Sequence, residues 1–140
     1  MWTDQGTLEG CAAETLRVRA ALAPDVAILA DVHVKHATPP PGQTLEDAAA
    51  DTWARGLADG LIVSGSGTGR PTDLENARRA RAGAPDAPVL VGSGVTPETV
   101  ASVLQAADGA IVGTCLKPEG DPGGAVDRAK ALRLMEAAGR

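Results

Sequence analysis

Short apolar runs alternate with longer amphipathic stretches along this 140-residue chain. The runs are Val26-Ala27-Ile28-Leu29-Ala30, Leu61-Ile62-Val63, Val89-Leu90-Val91 and Ala110-Ile111-Val112. Each is too short for a helix, carries β-branched residues and runs into turn chemistry, which predicts a buried strand. Between them the spacing predicts helices. The first covers about 7–22, with Leu8, Ala12 and Leu16 on one stripe. The second covers about 44–58, with Leu45, Ala48, Ala49, Trp53 and Leu57 inward. A third opens at Thr72-Asp73-Leu74-Glu75, a capping box, and a fourth at Thr96-Pro97-Glu98, with Thr96 as N-cap and Pro97 where a missing N–H costs nothing. Its apolar face is Val100, Val103, Leu104 and Ala107; the last helix, about 124–138, turns Val126, Ala129, Leu132 and Met135 inward.

The resulting order, α-β-α-β-α-β-α-β-α, implies parallel strands joined by right-handed crossovers. Two folds dominate that pattern, a (β/α)8-barrel and an open doubly wound sheet. A full barrel takes about 250 residues and eight strands. Here there are four strands, and the chain opens on a helix, so the fold class expected is α/β, half of a TIM (β/α)8-barrel, with residues 1–140 as one partial domain. The stretch Thr38-Pro39-Pro40-Pro41-Gly42 is a loop inside one βα unit rather than a domain boundary.

The first strand has two distinct faces. Its even positions, Val26 to Val34, stay apolar, whereas the odd series turns polar at the carboxyl end with Asp31, His33 and Lys35. In a parallel barrel those three project into the mouth of the lumen, unless the strand ends at about Val32 and leaves His33 to His36 as a loop. The second strand leads into Ser64-Gly65-Ser66-Gly67-Thr68-Gly69. That spacing is not the dinucleotide fingerprint and is read as a ligand loop whose N–H groups and hydroxyls meet an anion. The third leads into Gly92-Ser93-Gly94-Val95-Thr96 and the fourth into Gly113-Thr114. As the last two exits of a barrel these would hold phosphate, with Lys117 as a further donor. Asp31, His33 and His36 are the one set that a metal could use, but they form no compact signature, and no metal or other cofactor is expected.

Composition narrows the partners. The net charge of -5 and the absence of Phe and Tyr argue against nucleic acid, which needs a cationic face or stacking platforms. No apolar stretch approaches the ~20 residues of a spanning helix, and Met1 to Gly6 do not read as a secretory signal. A cytoplasmic location follows, with Cys11 and Cys115 as free thiols serving as small buried hydrophobes.

Taken together, Asp4-Gln5-Gly6, the run Ile28 to Ala37 with Asp31-Val32-His33-Val34-Lys35, the segment Ala58 to Gly65, Gly67-Thr68-Gly69 with Pro71-Thr72-Asp73, the run Val89 to Thr96, and Gly109 to Thr114 with Leu116-Lys117 resemble the BtpA/SgcQ family. The resemblance runs from about Thr3 to near the end. It implies a ribulose-phosphate-binding barrel, of which this chain matches the carboxy-terminal half. It also implies two settings: cyanobacterial members linked to photosystem I biogenesis, and others beside sugar-metabolism genes. The expected function is binding of a small phosphorylated metabolite, with lyase or isomerase chemistry on it as the enzymatic option. Asp31, His33, Lys35 and Asp4 would supply acid, base or electrophilic groups, and a desolvated Lys35 could form a Schiff base. The alternatives are a non-catalytic assembly factor and a fragment without activity of its own. Four strands alone leave two sheet edges and lumen-facing Leu29 exposed, so a homodimer or a missing amino-terminal half-barrel is the expected protein partner.

Overall fold

A computed structural model describes residues 1–3, 6–34, 37–64 and 74–139. The elements run β1 (Trp2–Thr3), β2 (Gly6–Thr7), α1 (Ala12–Leu22), β3 (Leu29–Asp31), β4 (Ala37–Thr38), α2 (Leu45–Ala54), β5 (Gly60–Val63), α3 (Leu74–Gly83), β6 (Val89–Val91), α4 (Val100–Ala106), β7 (Gly109–Ala110) and α5 (Arg128–Ala137). Single 3-10 turns lie at Thr114–Leu116 and Pro118–Gly120.

Strands β3, β5, β6 and β7 form a parallel sheet in sequential order. Its register decides which residues share a face: Asp31, Ile62, Leu90 and Gly109 lie in one row, and Ala30, Leu61 and Val89 in the next. Leu61, Val63, Val89 and Val91 are buried under α2, α3 and α4. Leu29, Ile62, Leu90 and Ile111 face the other way and keep solvent contact. A doubly wound sheet reverses its strand order and carries helices on both faces. This sheet does neither, so its second face has no helical cover among the described residues. A small antiparallel sheet, β2-β1-β4, joins the amino terminus to the segment after β3. Nothing in the apolar pattern foretold it, because its two-residue strands carry no periodicity.

The ends of the helices differ from the sequence expectation for local reasons. In α2 the capping box sits at Thr44, whose hydroxyl accepts from the Asp47 N–H at 3.0 Å while the Asp47 carboxylate accepts from the Thr44 N–H at 3.3 Å. The helix stops at Ala54, so Leu57 stands at positive φ and is exposed rather than inward. In α4 the Thr96 N–H donates to Thr99 Oγ1 at 2.9 Å, so Thr96 is a turn residue and the helix starts at Val100. Asp127 caps α5 through the N–H groups of Ala129 and Lys130, which turns Leu134 inward and leaves Val126, Leu132 and Met135 exposed. The capping residues Thr72 and Asp73 lie outside the described residues. Helix α1 begins at Ala12, after Thr7 is taken by β2, and buries no side chain.

One device occurs twice. The Asp59 carboxylate accepts from the Ile28 N–H at 2.7 Å and from Arg19 at 2.6 Å, while the Asp59 N–H donates to the Ile28 carbonyl at 2.8 Å. The Asp108 carboxylate accepts from the Val89 N–H and from Arg81, both at 2.8 Å, and the Asp108 N–H donates to the Val89 carbonyl at 2.8 Å. Each aspartate precedes a strand, and each clamps the start of the preceding strand to the last turns of the helix before it. The sequence around them repeats too: Ala58-Asp59-Gly60-Leu61-Ile62-Val63 and Ala107-Asp108-Gly109-Ala110-Ile111-Val112. The chain is therefore built from two βαβ-type units, α1-β3-α2-β5 and α3-β6-α4-β7.

Candidate functional site

Parallel strands deliver all their carboxyl ends to one side of a sheet. Here that side receives Asp31 from β3, Ser64 from β5, Gly92-Ser93-Gly94 from β6 and, beyond β7, Gly113-Thr114. Asp31 is exposed and lies in the helix-free row with Ile62 and Leu90. Gly92 allows a close approach: a Cβ there would sit 2.6 Å from the Ile62 side chain and 2.8 Å from Ser64 Oγ. Gly94 stands at φ +73, a conformation that side chains rarely adopt. Gly113 and Thr114 are exposed, and Thr114 opens a 3-10 turn.

His33 departs from the alternation read in the sequence. The strand ends at Asp31, and the backbone bends at Val32 and His33 instead of running on to Lys35. Val32 takes the buried place under the helices. His33 is half-buried, and its Nε2 is enclosed with no hydrogen-bond partner among the described residues. It feels an ion pair that no local sequence pattern foretells: Arg79 on α3 grips Glu46 on α2 with two hydrogen bonds, of 2.6 and 2.8 Å. Arg79 holds the Glu46 carboxyl at about 2. Burial first, and then the Arg79 charge, pushes the His33 pKa below its usual 6.5. The imidazole is thus held neutral, the form able to accept a proton.

A pH prediction follows from that shift. Because the folded pKa of His33 is depressed, its neutral form stabilises the fold fully above 6.5, and that contribution is lost as pH falls through the folded pKa. The melting temperature should decline on going from about pH 7 to about pH 5, and His33→Gln should flatten the decline. Thermal melts across that range check it; equal slopes in both proteins would exclude His33 as the cause.

Other residues take plain structural roles. Burial pushes the Cys115 thiol up, and Cys11 is exposed rather than buried; both are free cysteines. The Lys117 ammonium donates to the Pro122 carbonyl in its own loop, and Lys130 donates to the Lys117 carbonyl at 2.6 Å. Asp4, Lys35, His36, Gly65, Gly67, Thr68 and Gly69 lie outside the described residues. Among the described residues no group of His, Cys, Asp and Glu is arranged to hold a metal ion, and no helix is long and apolar enough to cross a membrane. A cleft of about 830 Å3 opens between α1, β3 and α2, lined by Met1, Leu16, Ala30, Asp31, Ala48 and Arg55 among others.

These features define an α/β protein with a singly wound parallel sheet, whose polar groups and glycine turns gather at the carboxyl ends of the strands. The chain belongs to the BtpA family, whose sequence model matches residues 1–140. It is 47% identical over 137 residues to the photosystem I biogenesis protein BtpA of Synechocystis, covering 98% of this chain and 48% of that protein. An uncharacterized protein of Pyrococcus furiosus is 46% identical over 137 residues, covering 96% and 51%. Another, of Methanocaldococcus jannaschii, is 37% identical over 139 residues, covering 99% and 52%. The chain spans about half the length of the curated relatives it matches. No solved structure matches it.

Proposed function

We propose that residues 1–140 supply the last four strands of a (β/α)8-barrel and bind a small phosphorylated metabolite of the sugar-phosphate type at the carboxyl ends of those strands. The observation that carries this reading is the placement of two glycine turns, Gly92-Ser93-Gly94 and Gly113-Thr114, beyond adjacent parallel strands, on the side of the sheet where Asp31 is exposed. Glycines let backbone N–H groups approach an anion closely, and phosphate sites in barrels sit at the last two strand exits. Asp31 is then placed to exchange a proton with the carbon end of the ligand, the chemistry of an isomerase or lyase. Ser64, which follows β5 on the same side of the sheet, is assigned to the ligand.

Binding at about 100 times Kd stabilises a folded protein by roughly 2.7 kcal/mol. A pentose phosphate should therefore raise the melting temperature of the chain by several degrees, more than inorganic phosphate does. Gly94→Val should abolish the rise, whereas Asp31→Asn should keep it and lose any turnover. No stabilisation by any sugar phosphate would sink the reading.

The relative named for photosystem I biogenesis supports a second reading, in which the chain serves as a non-catalytic assembly factor. That reading predicts the reverse pattern: Asp31→Asn without consequence, and loss of function from substitutions on the outer helix surfaces.

A further inference from the structure

Beyond β7 the chain makes the 3-10 turn Thr114–Leu116 and then a loop that leads into α5. Hydrogen bonds occupy the carbonyls of this turn from both sides. The Gly113 carbonyl accepts from the Leu116 N–H at 3.0 Å, and the Thr114 carbonyl from the Lys117 N–H at 3.1 Å. The Leu116 carbonyl accepts from the Asp127 N–H at 2.7 Å, and the Lys117 carbonyl from the Lys130 ammonium at 2.6 Å. Among the described residues the N–H groups of Gly113 and Thr114 have no acceptor, and both residues are exposed. The turn thus commits its carbonyls to the loop and to α5 and leaves two donors free, as a backbone anion site requires. Both bonds from α5 come from one side of its first turn, since Lys130 lies one helical turn beyond Asp127. The Asp127 carboxylate also caps the helix, accepting from the Ala129 N–H at 2.7 Å and the Lys130 N–H at 3.1 Å. The start of α5 is therefore fixed where it grips the loop. The loop is closed in turn by the Lys117 ammonium on the Pro122 carbonyl, across Glu119 at φ 50 and Gly120 at φ 70. A residue such as Glu119 keeps a positive φ only where its surroundings impose it.

The two lysines of this region are used differently from the paired arginines. Arg19, Arg55, Arg78, Arg79 and Arg81 each meet a carboxylate. Lys117 and Lys130 are half-buried and donate to backbone carbonyls. Asp127 feels the Lys130 charge, but its carboxylate is held by the N–H groups of α5. We infer that Lys130 is a positioning residue for the proposed phosphate turn: from α5 it holds the Lys117 carbonyl, so that the Gly113 and Thr114 N–H groups stay available to the ligand. The inference rests on the anion reading above and changes which lysine serves it. The sequence pointed to Lys117 as a donor to the ligand, yet that ammonium is engaged within its own loop. Lys130 acts through the backbone instead, and its charge beside the turn favours an anion there.

Lys130→Met removes the ammonium and keeps a long unbranched side chain. Inorganic phosphate and a pentose phosphate are titrated into each protein, with the Gly113 and Thr114 amides followed by NMR. The affinity of Lys130→Met should be about 10-fold or more below that of the parent. Its melting temperature should fall by only about two degrees, so that affinity and stability separate. Lys130→Arg restores both charge and donor and should recover most of the affinity. Arg133→Met removes the same charge from an exposed position of α5 and should stay within about twofold of the parent. Before any ligand is added, the Asp127 N–H of Lys130→Met should exchange faster than that of the parent, because half of the grip on the loop is gone. Undiminished binding in Lys130→Met, an equal loss in Arg133→Met, or no recovery in Lys130→Arg overturns the positioning role and leaves the anion site standing. A loss of affinity that merely tracks a collapsed melting temperature overturns it too. A parent chain that binds neither phosphate nor the pentose phosphate sinks the anion reading itself, and this role with it.

Discussion

Leu61→Ala should cost about 3 kcal/mol of stability, seen in thermal melts as a drop of about 10 °C. Leu61 is fully buried in β5, the second strand of the parallel sheet, with Ala30 and Val89 beside it in register. The surrounding core is mostly alanine and valine: Ala49, Ala77, Ala80 and Val91 are all fully buried, and the chain contains no Phe or Tyr. Such short side chains have no reach with which to refill a deleted isobutyl group, so most of the cavity should persist. Leu90→Ala is the matched control. It removes the same atoms from the neighbouring strand, but on the helix-free face where the side chain keeps solvent contact, and it should cost about 1 kcal/mol. Equal losses at the two positions would mean that the sheet is not covered on one face only.

Gly83→Ala should be about as damaging, roughly 3 kcal/mol, through crowding instead of a void. A Cβ at Gly83 would lie 2.7 Å from the Glu46 carbonyl carbon and 2.8 Å from its Cα, and closer still to the oxygen. Backbone cannot rotate aside as a side chain can, so α2 and α3 must separate. That separation would open the packing of α2 on α3, whose Ala49 and Ala80 are both fully buried, and pull Glu46 from its bidentate partner Arg79. A melting temperature within a degree of the parent would contradict the close packing of the two helices.

Much of this architecture was legible in the residues themselves. Runs such as Leu61-Ile62-Val63 and Val89-Leu90-Val91 became strands because β-branched segments that short bury both faces or span a sheet. Their alternation with helices was enough to make the sheet parallel. Leu45, Ala48 and Ala49 turned inward on α2 as their spacing requires. Element ends were less legible, because they depend on which polar group wins a backbone N–H: Thr99 took the Thr96 N–H, and Asp127 started α5 late enough to rotate its buried face. The odd series that begins at Asp31 leaves the strand there, because β3 ends at Asp31 and the backbone bends at Val32 and His33, with Val32 buried; Lys35 lies outside the described residues. The Glu46–Arg79 pair joins residues far apart in sequence and left no local mark. The repeated Ala-Asp-Gly triplets at Asp59 and Asp108 did leave one, and comparing the chain with itself would have found the clamps.

The proposed site depends on an anion seated at the joint exit of β6 and β7. Amide NMR during titration with a pentose phosphate addresses that seat most directly, since backbone N–H groups are the proposed donors. Saturable shifts should be concentrated at Gly92, Gly94, Gly113 and Thr114, with lesser ones at Asp31. Shifts confined to the helix surfaces, or none at these glycines while the ligand is bound, would contradict it.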